Sequence, residues 1–471
     1  MQTLERERKL AGPAEVLEAL EGDSIEPRLF TSTYHDTGDR RLARLGITLR
    51  RRLENGVSLW QLKLPRNGGR LEVEEPGGPG DVPQPLGKLL GGVLHGAQLE
   101  EAATLQTRRT GKRAAIEGGT VEATLDEVSR LEGQRAEDSF TELEVELLDG
   151  DPKAVAAAER VLVDAGAETV EQRPKLFRYL GVEPRPSPGG DARAIDHVRA
   201  RIATQYDGIL RHDPGTRLGD DPEDLHDLRV AVRRLRALLR AASDLLVPEW
   251  SDPLRDELKW LGGELGPARD LDVLLEYLRA EAARLDRDEV HFAEVLQRLE
   301  AERAGARERL LAALESDRYR ELLAALEAAS RAPHVRALDA PLDKLAAAEF
   351  KRLAKAVRRL GDDPSDEDLH RVRIKGKRAR YAAELAEAVS GKRAARVVRE
   401  AKGFQDVVGE HQDAVVAEER VRAVAGELPS GEAVLAAGRV VEHQRRRREE
   451  ARAALPKAWA KLERAGRRAW A

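Results

Sequence analysis

The stretch "ERERK", residues 5–9, places five charged side chains in a row near the start of the chain. Successive side chains on a strand point to opposite faces, so Glu5, Glu7 and Lys9 share one face, whereas Arg6 and Arg8 share the other. A face with two carboxylates and an ammonium is unusual unless it lines a space that holds water and charged groups. The stretch therefore predicts a strand with one face turned to such a space.

Six further segments in the first 182 residues alternate with a period of two, and Gly, Asn, Pro and Asp turns separate them, which is typical of antiparallel strands. They are "GITLRRRLE", "VSLWQLKLP", "GRLEVEEP", "TLQTRRTGKRAAI", "GTVEATLDEV" and "FTELEVELLDG". Two other segments, "GPAEVLEALEGD" and "PKAVAAAERVLVDAG", have the pattern of helices.

The polar faces of these strands consist almost entirely of Glu, Arg and Lys. For any single strand, an ordinary sheet face in water explains the pattern. Taken together, the faces carry like charges at i and i+2, which repel unless counter-ions lie between them. Arginine and lysine suit phosphate oxygens, and carboxylates suit divalent cations, so the faces predict a cage for a polyanion and its metal ions.

These motifs resemble, in order, those of CYTH domains, also called triphosphate tunnel metalloenzymes. "ERERK" matches their ExExK signature, and "YHDTGDRRLARLGITLRRR", "LWQLKLP", "TLDEV" and "FTELEVELLDG" resemble the motifs that follow. The resemblance covers about residues 1–182. It implies an eight-stranded antiparallel β-barrel with flanking helices, whose polar faces line a tunnel, and substrates that carry a triphosphate together with Mg²⁺ or Mn²⁺.

The resemblance also implies roles for individual residues. The implied metal-binding acids are Glu5, Glu7, Glu142 and Glu144. The predicted catalytic set is Glu5, Glu7, Lys9, Lys63, Arg50 and Arg52. The predicted substrate-binding residues are Arg70, Arg109, Lys175, Glu72, Glu74 and Asp126. The choice between Arg108 and Arg109 stays open, because "QTRRT" can be read in either parity.

After "GVEPRPSPGGDARA" the pattern changes to a helical period, so we predict a linker at 183–192 between a domain at 1–182 and a helical domain at 193–471. "LHDLRVAVRRLRALLRAA" starts at Leu225, and a similar stretch starts at Leu369, 144 positions later (369 − 225). We expect an internal repeat, about 193–330 and 340–471, that forms two four-helix bundles. The predicted fold class is multi-domain α+β.

A basic stripe runs along the first helix of each copy. His226, Arg229, Arg233 and Arg236 recur as His370, Arg373, Lys377 and Arg380 with the same spacing, which places each set on one helix face. Alternatively, each stripe is the basic flank of a bundle helix, whose long side chains extend to solvent. The repetition, with the histidine kept, favours a binding role.

This half resembles the CHAD domain, the helical "conserved histidine" family, over about residues 190–471. The resemblance rests on "LHDLRVAVRRLR", "ARDLD" and "LHRVRIKGKRARY". It implies that the eight residues of the two stripes bind inorganic polyphosphate in a basic groove. Asp270 and Asp413 recur too and would orient the arginines, whereas the arginine run at 445–448 is expected to be solvated.

Composition limits the function classes. The net charge of −5 and the aromatic content of 4% make nucleic-acid binding unlikely. The chain has no cysteine, no apolar run near the ~18 residues of a membrane span and no signal peptide pattern, so a cytoplasmic location is expected. Oligomeric state and metal preference stay open.

The resulting prediction is a divalent-metal-dependent hydrolase of inorganic triphosphate, or of a related triphosphate, with a polyphosphate-binding helical module. One alternative is a polyphosphate-binding or granule-associated protein without catalysis. Another is a class IV-type adenylate cyclase or a thiamine-triphosphatase, although the sequence contains no recognisable adenine-reading motif.

Overall fold

The structure of this protein is a computed structural model, and it describes residues 2–133, 135–170, 176–182, 185–336, 341–428 and 431–470. Lys175 and two residues of the predicted linker, 183 and 184, lie outside these ranges. The chain divides into two compact units. The first is Met1–Arg185 with Asp213–Leu218, and the second is Pro186–His212 with Gly219–Ala471.

The first unit is built on one antiparallel sheet. Its strands are β1 (Gln2–Glu5), β2 (Glu7–Ala11), β3 (Asp23–Ser24), β4 (Arg28–Thr37), β5 (Thr48–Glu54), β6 (Val57–Arg66), β7 (Gly69–Pro76), β8 (Leu99–Ile116), β9 (Gly119–Glu132), β10 (Arg135–Gly150) and β11 (Glu168–Thr169). The helices are α1 (Arg41–Leu45), α2 (Gln84–Leu89), α3 (Gly91–Leu94), α4 (Lys153–Asp164) and α5 (Leu176–Leu180), with a 3-10 helix at Ala14–Ala19. Thus "PKAVAAAERVLVDAG" forms the predicted helix, whereas "GPAEVLEALEGD" forms only the 3-10 helix.

Local sequence explains the tightest hairpin of the sheet. β5 and β6 are joined by Asn55 and Gly56, which both have positive φ, 50° and 80°. Asn-Gly is the preferred pair for a two-residue turn of this kind, because its twist matches that of the flanking strands. The turn sets the register that pairs Arg50 with Gln61 and Thr48 with Lys63.

The sheet follows the order β1-β7-β6-β5-β4-β8-β9-β10-β2-β11, with β3 paired to β8. Its outer partners β1 and β2 are consecutive in the chain and are separated at Arg6, whose carbonyl oxygen accepts a 3.0 Å hydrogen bond from the Leu147 amide. Among the described residues no ladder joins β1 to β2. The antiparallel sheet is confirmed, but the predicted closed eight-stranded barrel is not. The "ERERK" segment pairs with β7 at Glu5 and with β10 at Glu7 and Lys9.

The sheet separates a charged face from an apolar one. On β10, Leu143 and Val145 pack with Leu10 and with Leu162 of α4 in a core that also includes Val16 of the 3-10 helix. The alternate residues of the same strand point to the opposite face. The helices therefore cover the apolar face, and the charged face is left to line a cavity.

The second unit is helical. Its helices are α6 (Ala194–Leu218), α7 (Pro222–Ala241), α8 (Pro248–Ala282), α9 (Glu289–Glu315), α10 (Asp317–Arg331), α11 (Leu342–Val357), α12 (Asp366–Ala425) and α13 (Gly431–Ala469). The last part of α6, Asp213–Leu218, belongs to the first unit. α12 is interrupted at Gly391, where φ is 47° and ψ is −128°. Only glycine adopts this backbone readily, so the residue divides α12 into two helical parts.

The similar stretches of the two copies form α7 and the first part of α12, and these two helices contact each other. In the second copy, α11, both parts of α12 and α13 share one core through Phe350, Leu369, Phe404 and Leu462. α7 contacts α12 and α9 contacts α13, so the eight helices form one packed unit rather than two detached bundles.

None of the helices in the described part of the chain is both long enough and apolar enough to cross a membrane.

Candidate functional site

A charged cavity of about 350 Å³ lies against the polar face of the sheet in the first unit. We call it the sheet cavity. Its basic lining residues are Lys9, Arg28, Arg50, Arg52, Lys63, Arg70, Arg109 and Arg113. Its acidic lining residues are Glu5, Glu7, Glu72, Glu122, Glu144 and Glu146. The period-two parity of the strands brings these residues together, as the charge pattern predicted.

Lys9 and Lys63 each hold carboxylates at the boundary of this cavity. Lys9 Nζ donates hydrogen bonds to Oε1 of Glu142 at 2.7 Å and to Oε1 of Glu144 at 2.6 Å. Lys63 Nζ donates to Oε2 of Glu5 at 2.6 Å and lies 3.6 Å from Glu72. Lys9 therefore balances the charges of Glu142 and Glu144, and Lys63 balances those of Glu5 and Glu72.

Arg109 lies in the cavity and Arg108 does not. Arg109 forms a bidentate pair with Asp126, with both bonds at 2.7 Å, and donates to Oε2 of Glu144 at 2.6 Å. Arg108 points to the opposite face, where its side chain is 62% exposed and lies 3.7 Å from Glu127. The register of β8 against β4 and β9 decides between the two parities of "QTRRT".

Two arginines on β5 are held in place by aromatic neighbours. Arg50 Nε donates to Oε1 of Gln61 at 2.7 Å, and Nη1 lies 3.3 Å from the Tyr34 hydroxyl. The Arg52 guanidinium lies 3.7 Å over the Phe30 ring, and its buried Nε has no hydrogen-bond partner among the described residues. Burial and the neighbouring Arg50 charge lower the pKa of Arg52 to about 10. An anion bound between Arg50 and Arg52 would give the Nε group of Arg52 a hydrogen-bond partner. It would also offset the repulsion between the two positive charges.

The acids of the cavity provide the oxygen ligands that hard divalent cations such as Mg²⁺ prefer. Burial, and after it the charge of Glu5, raises the pKa of Glu146 to about 7. Glu7 raises it further, and repulsion among carboxylates is the condition that a bound cation relieves. Glu5, Glu7 and Glu146 therefore supply the type of ligand that a divalent cation prefers.

One of the four predicted metal-binding acids lies outside the lining of the sheet cavity. Glu142 is buried and bonded to Lys9, and it does not line the cavity, whereas Glu146 does. Within the described ranges no group of three or more acids or histidines is already arranged to hold a metal ion, because Lys9, Lys63 and Arg109 engage these carboxylates.

Two other predicted residues support the cavity from outside its lining. Glu74 accepts a 2.7 Å hydrogen bond from Nε2 of Gln61, and Asp126 holds Arg109. Lys175 lies outside the described residues. The remaining predicted residues of the first unit, among them Arg70, line the cavity.

Sequence reasoning missed several lining residues. Glu122 and Glu146 share the parity of Asp126 and Glu144, so the alternation already indicated them. Arg28 and Arg113 carried no such signal, because their inclusion depends on how β4 pairs with β5 and β8. Arg28 is bonded to Glu54 at 2.7 Å, and Arg113 lies 3.3 Å from Glu122.

A second cavity, of about 540 Å³, lies between α7, α8 and α12 in the helical unit. We call it the basic cavity, because its described lining includes eight cationic residues and no Asp or Glu. They are Arg229, Arg233, Arg236, Arg240, Arg255, Lys259, Lys377 and Arg378.

The structure brings together half of the predicted stripe residues. Arg229, Arg233, Arg236 and Lys377 line the basic cavity. The other four, His226, His370, Arg373 and Arg380, are not among its lining residues. His370 contacts Gln412 at 2.8 Å and Arg380 lies 3.3 Å from Glu384, whereas Arg373 is near enough to Lys377 for its charge to lower the pKa of that lysine.

Acidic and hydroxyl groups hold the arginines. Arg229 donates from Nη1 to Asp270 at 2.6 Å, and the repeat-related Arg373 lies 4.0 Å from Asp413. Arg233 donates from Nε to the Tyr381 hydroxyl at 3.1 Å. Asp270 therefore contacts the arginine that it was predicted to orient, and Asp413 makes a looser contact.

Lys377 is surrounded by like charges. Burial lowers the pKa of Lys377 to about 7, and Arg373, Arg233 and Arg229 contribute to the same direction. The basic cavity thus holds more positive charge than it neutralises internally, which favours an anionic ligand.

The sequence analysis did not predict three lining residues of the basic cavity. Arg255 and Lys259 lie on α8, which carries no predicted stripe, and Arg378 lies on α12 outside the predicted stripe. The arginine run at 445–448 was expected to be solvated, and Arg445 and Arg446 are exposed, whereas Arg447 and Arg448 are only partly exposed. Arg447 lies 2.6 Å from Glu410, and Arg448 lies 3.3 Å from Asp366, so the run ties α13 to α12.

Comparison with known proteins matches both halves. A CYTH domain model matches residues 3–174, and a CHAD domain model matches residues 200–422. Two uncharacterized proteins of Mycobacterium tuberculosis, from strains CDC 1551 and H37Rv, are 32% identical over 476 residues, which covers 93% of this chain and 90% of theirs.

Two solved structures resemble the helical part. PptA from Streptomyces chartreusis is 27% identical with a TM-score of 0.50, and the match covers 58% of this chain and 100% of that chain. The CHAD domain from the plant Ricinus communis is 29% identical with a TM-score of 0.49, covering 59% of this chain and 94% of that chain. The full-length relatives and the two domain matches show that the chain belongs to the family of proteins that join a CYTH domain to a CHAD domain.

Proposed function

We propose that this protein is a divalent-metal-dependent hydrolase of inorganic triphosphate whose helical unit binds polyphosphate. The observation that carries the proposal is the sheet cavity, in which eight cationic residues and six carboxylates line one space of about 350 Å³. A triphosphate needs cations along its length and a metal site beside its terminal phosphate, and both kinds of ligand are available there.

The aromatic residues of this cavity favour an inorganic substrate. Phe30 and Tyr34 are buried, and the guanidinium groups of Arg52 and Arg50 lie near their ring faces at 3.7 and 6.0 Å. Because both rings are buried, they expose little surface on which an adenine or a thiamine ring could stack. This supports tripolyphosphate over the cyclase and thiamine-triphosphatase alternatives.

The proposed reaction is attack by water on a terminal phosphorus, with cleavage of the bond to the bridging oxygen. Arg50, Arg52 and Lys63 would bind the phosphate oxygens and stabilise the charge that develops on the leaving pyrophosphate. Glu5, Glu7 and Glu146 would hold the divalent cation. When bound, that cation supplies charge neutralisation and a more acidic water.

A phosphate-release assay tests the hydrolase. The full chain is incubated with tripolyphosphate, long-chain polyphosphate, ATP or thiamine triphosphate, in Mg²⁺, Mn²⁺ or EDTA. We expect release that is fastest with tripolyphosphate and lost in EDTA. Undiminished release in EDTA would exclude the proposed mechanism, and a preference for ATP or thiamine triphosphate would exclude the proposed substrate.

A second candidate is polyphosphate binding without turnover. It is favoured by the engagement of Glu5 with Lys63 and of Glu144 with Lys9, since these acids must leave their internal partners before they bind a metal. Tight metal-independent tripolyphosphate binding with no phosphate release would support this candidate.

Polyphosphate binding by the helical unit is supported by the eight cations and the lack of acids in the described lining of the basic cavity. The test compares the full chain with a variant that replaces Arg229, Arg233, Arg236 and Lys377 by alanine. A matched control replaces four exposed cations of α12, namely Lys392, Arg393, Arg396 and Arg399.

We expect the cavity variant alone to lose affinity, by about 100-fold at low salt, because several released counter-ions accompany binding. Affinity of the wild type should fall steeply with salt and exceed that for DNA of equal charge. Equal losses in the two variants, with unchanged helical circular dichroism, would show that only general surface charge is involved.

A further inference from the structure

The internal repeat produces a second cleft in the helical unit, which is related to the basic cavity but differs in charge. This second cleft, of about 270 Å³, is lined among others by Arg201, Arg234, Tyr381, Glu384 and Glu387. With the offset of 144 positions, Arg378 of the basic cavity corresponds to Arg234, and Arg240 corresponds to Glu384. The two spaces are therefore counterparts in the two copies.

The correspondence identifies what changed between the copies. Arg240 lines the basic cavity, and its counterpart Glu384 places a carboxylate in the second cleft. On the next helical segment the offset is 143 positions, as for Leu265 and Val408, and there Arg255 corresponds to Val398. Two cations of the basic cavity are thus replaced by an acid and an apolar residue.

Helix α6 also enters the second cleft. Arg201 of α6 lines it and donates from Nη2 to the carbonyl oxygen of Glu384 at 3.2 Å, and Gln205 lies beside it in the lining. In the other copy, α11 occupies the corresponding place in the chain, but none of its residues is among the described lining of the basic cavity. A helix therefore fills part of the second cleft only.

The charges of the two spaces have different consequences for a polyanion. The second cleft has two arginines and two glutamates in its described lining, so its formal charge is zero. Glu384 also lies 3.3 Å from Arg380, which withdraws a predicted stripe cation from ligand binding. A phosphate chain in this cleft would meet carboxylates and displace existing pairs.

We propose that the second cleft excludes polyphosphate, that the helical unit binds it at the basic cavity alone, and that Glu384 is the residue that sets this selectivity. The proposal rests on the polyphosphate binding proposed above. It explains why, in the described part of the chain, one of these two spaces is strongly cationic and the other is not, although the motif is duplicated.

The experiment measures long-chain polyphosphate binding by the full chain in EDTA, so that the sheet cavity contributes equally to every variant. One variant, Arg236→Ala with Arg240→Ala, removes two arginines from the basic cavity. Its match, Arg201→Ala with Arg234→Ala, removes two from the second cleft. We expect the first to weaken binding by about tenfold or more and the second by less than about twofold.

A third variant adds Glu384→Arg to the first pair and should recover at least about threefold in affinity, and Glu384→Gln on the same background should recover less. An equal loss in the two double variants would overturn the proposal, as would a folded Glu384→Arg protein with no recovery. If the wild type does not bind polyphosphate at all, the proposed function of the helical unit fails instead.

Discussion

Lys9 Nζ donates a 2.6 Å hydrogen bond to Oε1 of Glu144, and the two residues are paired directly across β2 and β10. The Lys9 side chain is only 5% exposed. Burial lowers the pKa of Lys9, but the charges of Glu144, Glu7 and Glu142 raise it by more, so that the net shift is upward. Lys9 is therefore a permanent counter-ion for the acids of the sheet cavity.

Replacing Lys9 by methionine should leave Glu142 and Glu144 buried without this cation. We expect the free energy of unfolding in EDTA to fall by about 3–5 kcal/mol, the usual cost of breaking a buried ion pair from one side. Urea denaturation followed by circular dichroism measures the change. Arg8→Met is the control, because Arg8 is 51% exposed and lies 3.6 Å from Glu159, and it should cost less than about 1 kcal/mol. Similar losses in both variants would contradict a structural role of the Lys9 pairs.

Arg109 and Arg108 are adjacent in sequence but lie on opposite faces of β8, so they form a matched pair. Arg109→Ala should reduce kcat/KM for tripolyphosphate by about 100-fold or more, since a guanidinium that stabilises developing charge is lost. Arg108→Ala should stay within about twofold of the wild type, because its side chain points away from the sheet cavity. Phosphate release with Mg²⁺ measures both, and equal effects would show that the cavity is not the active site.

Glu146 should make stability depend on pH. Its pKa is raised by burial and by Glu5 to about 7, so the folded state holds a proton that the unfolded chain releases near its ordinary value of 4.5. The wild type should therefore lose stability relative to Glu146→Gln as pH rises from about 4.5 through 7, by up to about 3 kcal/mol. Denaturation in EDTA at several pH values measures this.

The control for Glu146 is Glu117→Gln, at an exposed turn between β8 and β9. The difference in the free energy of unfolding between Glu117→Gln and the wild type should be nearly constant over the same pH range. If the free energy of unfolding of Glu146→Gln varies with pH in parallel with that of the wild type, the pKa of the Glu146 carboxyl is not raised.

Lys377 should make polyphosphate binding depend on pH near neutrality. Its pKa is lowered by burial and by neighbouring arginines to about 7, so the free protein loses this charge as pH rises through 7. Affinity should fall between pH 6 and 8, by up to about tenfold, because binding must then restore the proton. Lys377→Arg should remove most of this dependence, since arginine stays charged.

The exposed Lys402 on α12 provides the comparison for Lys377. Lys402→Arg should leave the pH dependence of polyphosphate binding as in the wild type. If Lys377→Arg also leaves it unchanged, another group controls the pH response.

The sequence predicted much of the sheet cavity because strand parity is a local property. Once Glu5, Glu7 and Lys9 were assigned to one face, and Arg50, Arg52 and Lys63 to similar faces, the only further requirement was that these faces meet. Arg108 and Arg109 could not be separated in this way, because a two-arginine stretch reads equally well in both parities until β8 is paired with β9, which sets Arg109 opposite Asp126.

In the helical unit, sequence alone determined which residues share a stripe, since the helical period decides this within one helix. The tertiary structure decided which stripe residues reach a cavity. Arg255 and Lys259 come from α8, and Arg373 and Arg380 lie outside the basic cavity although they repeat Arg229 and Arg236. The physical reason is that a cavity is enclosed by several helices whose packing is set by distant apolar contacts. The second copy has Glu384 where the first has Arg240, and the effect of this difference on a cavity can therefore be read only from the packed helices.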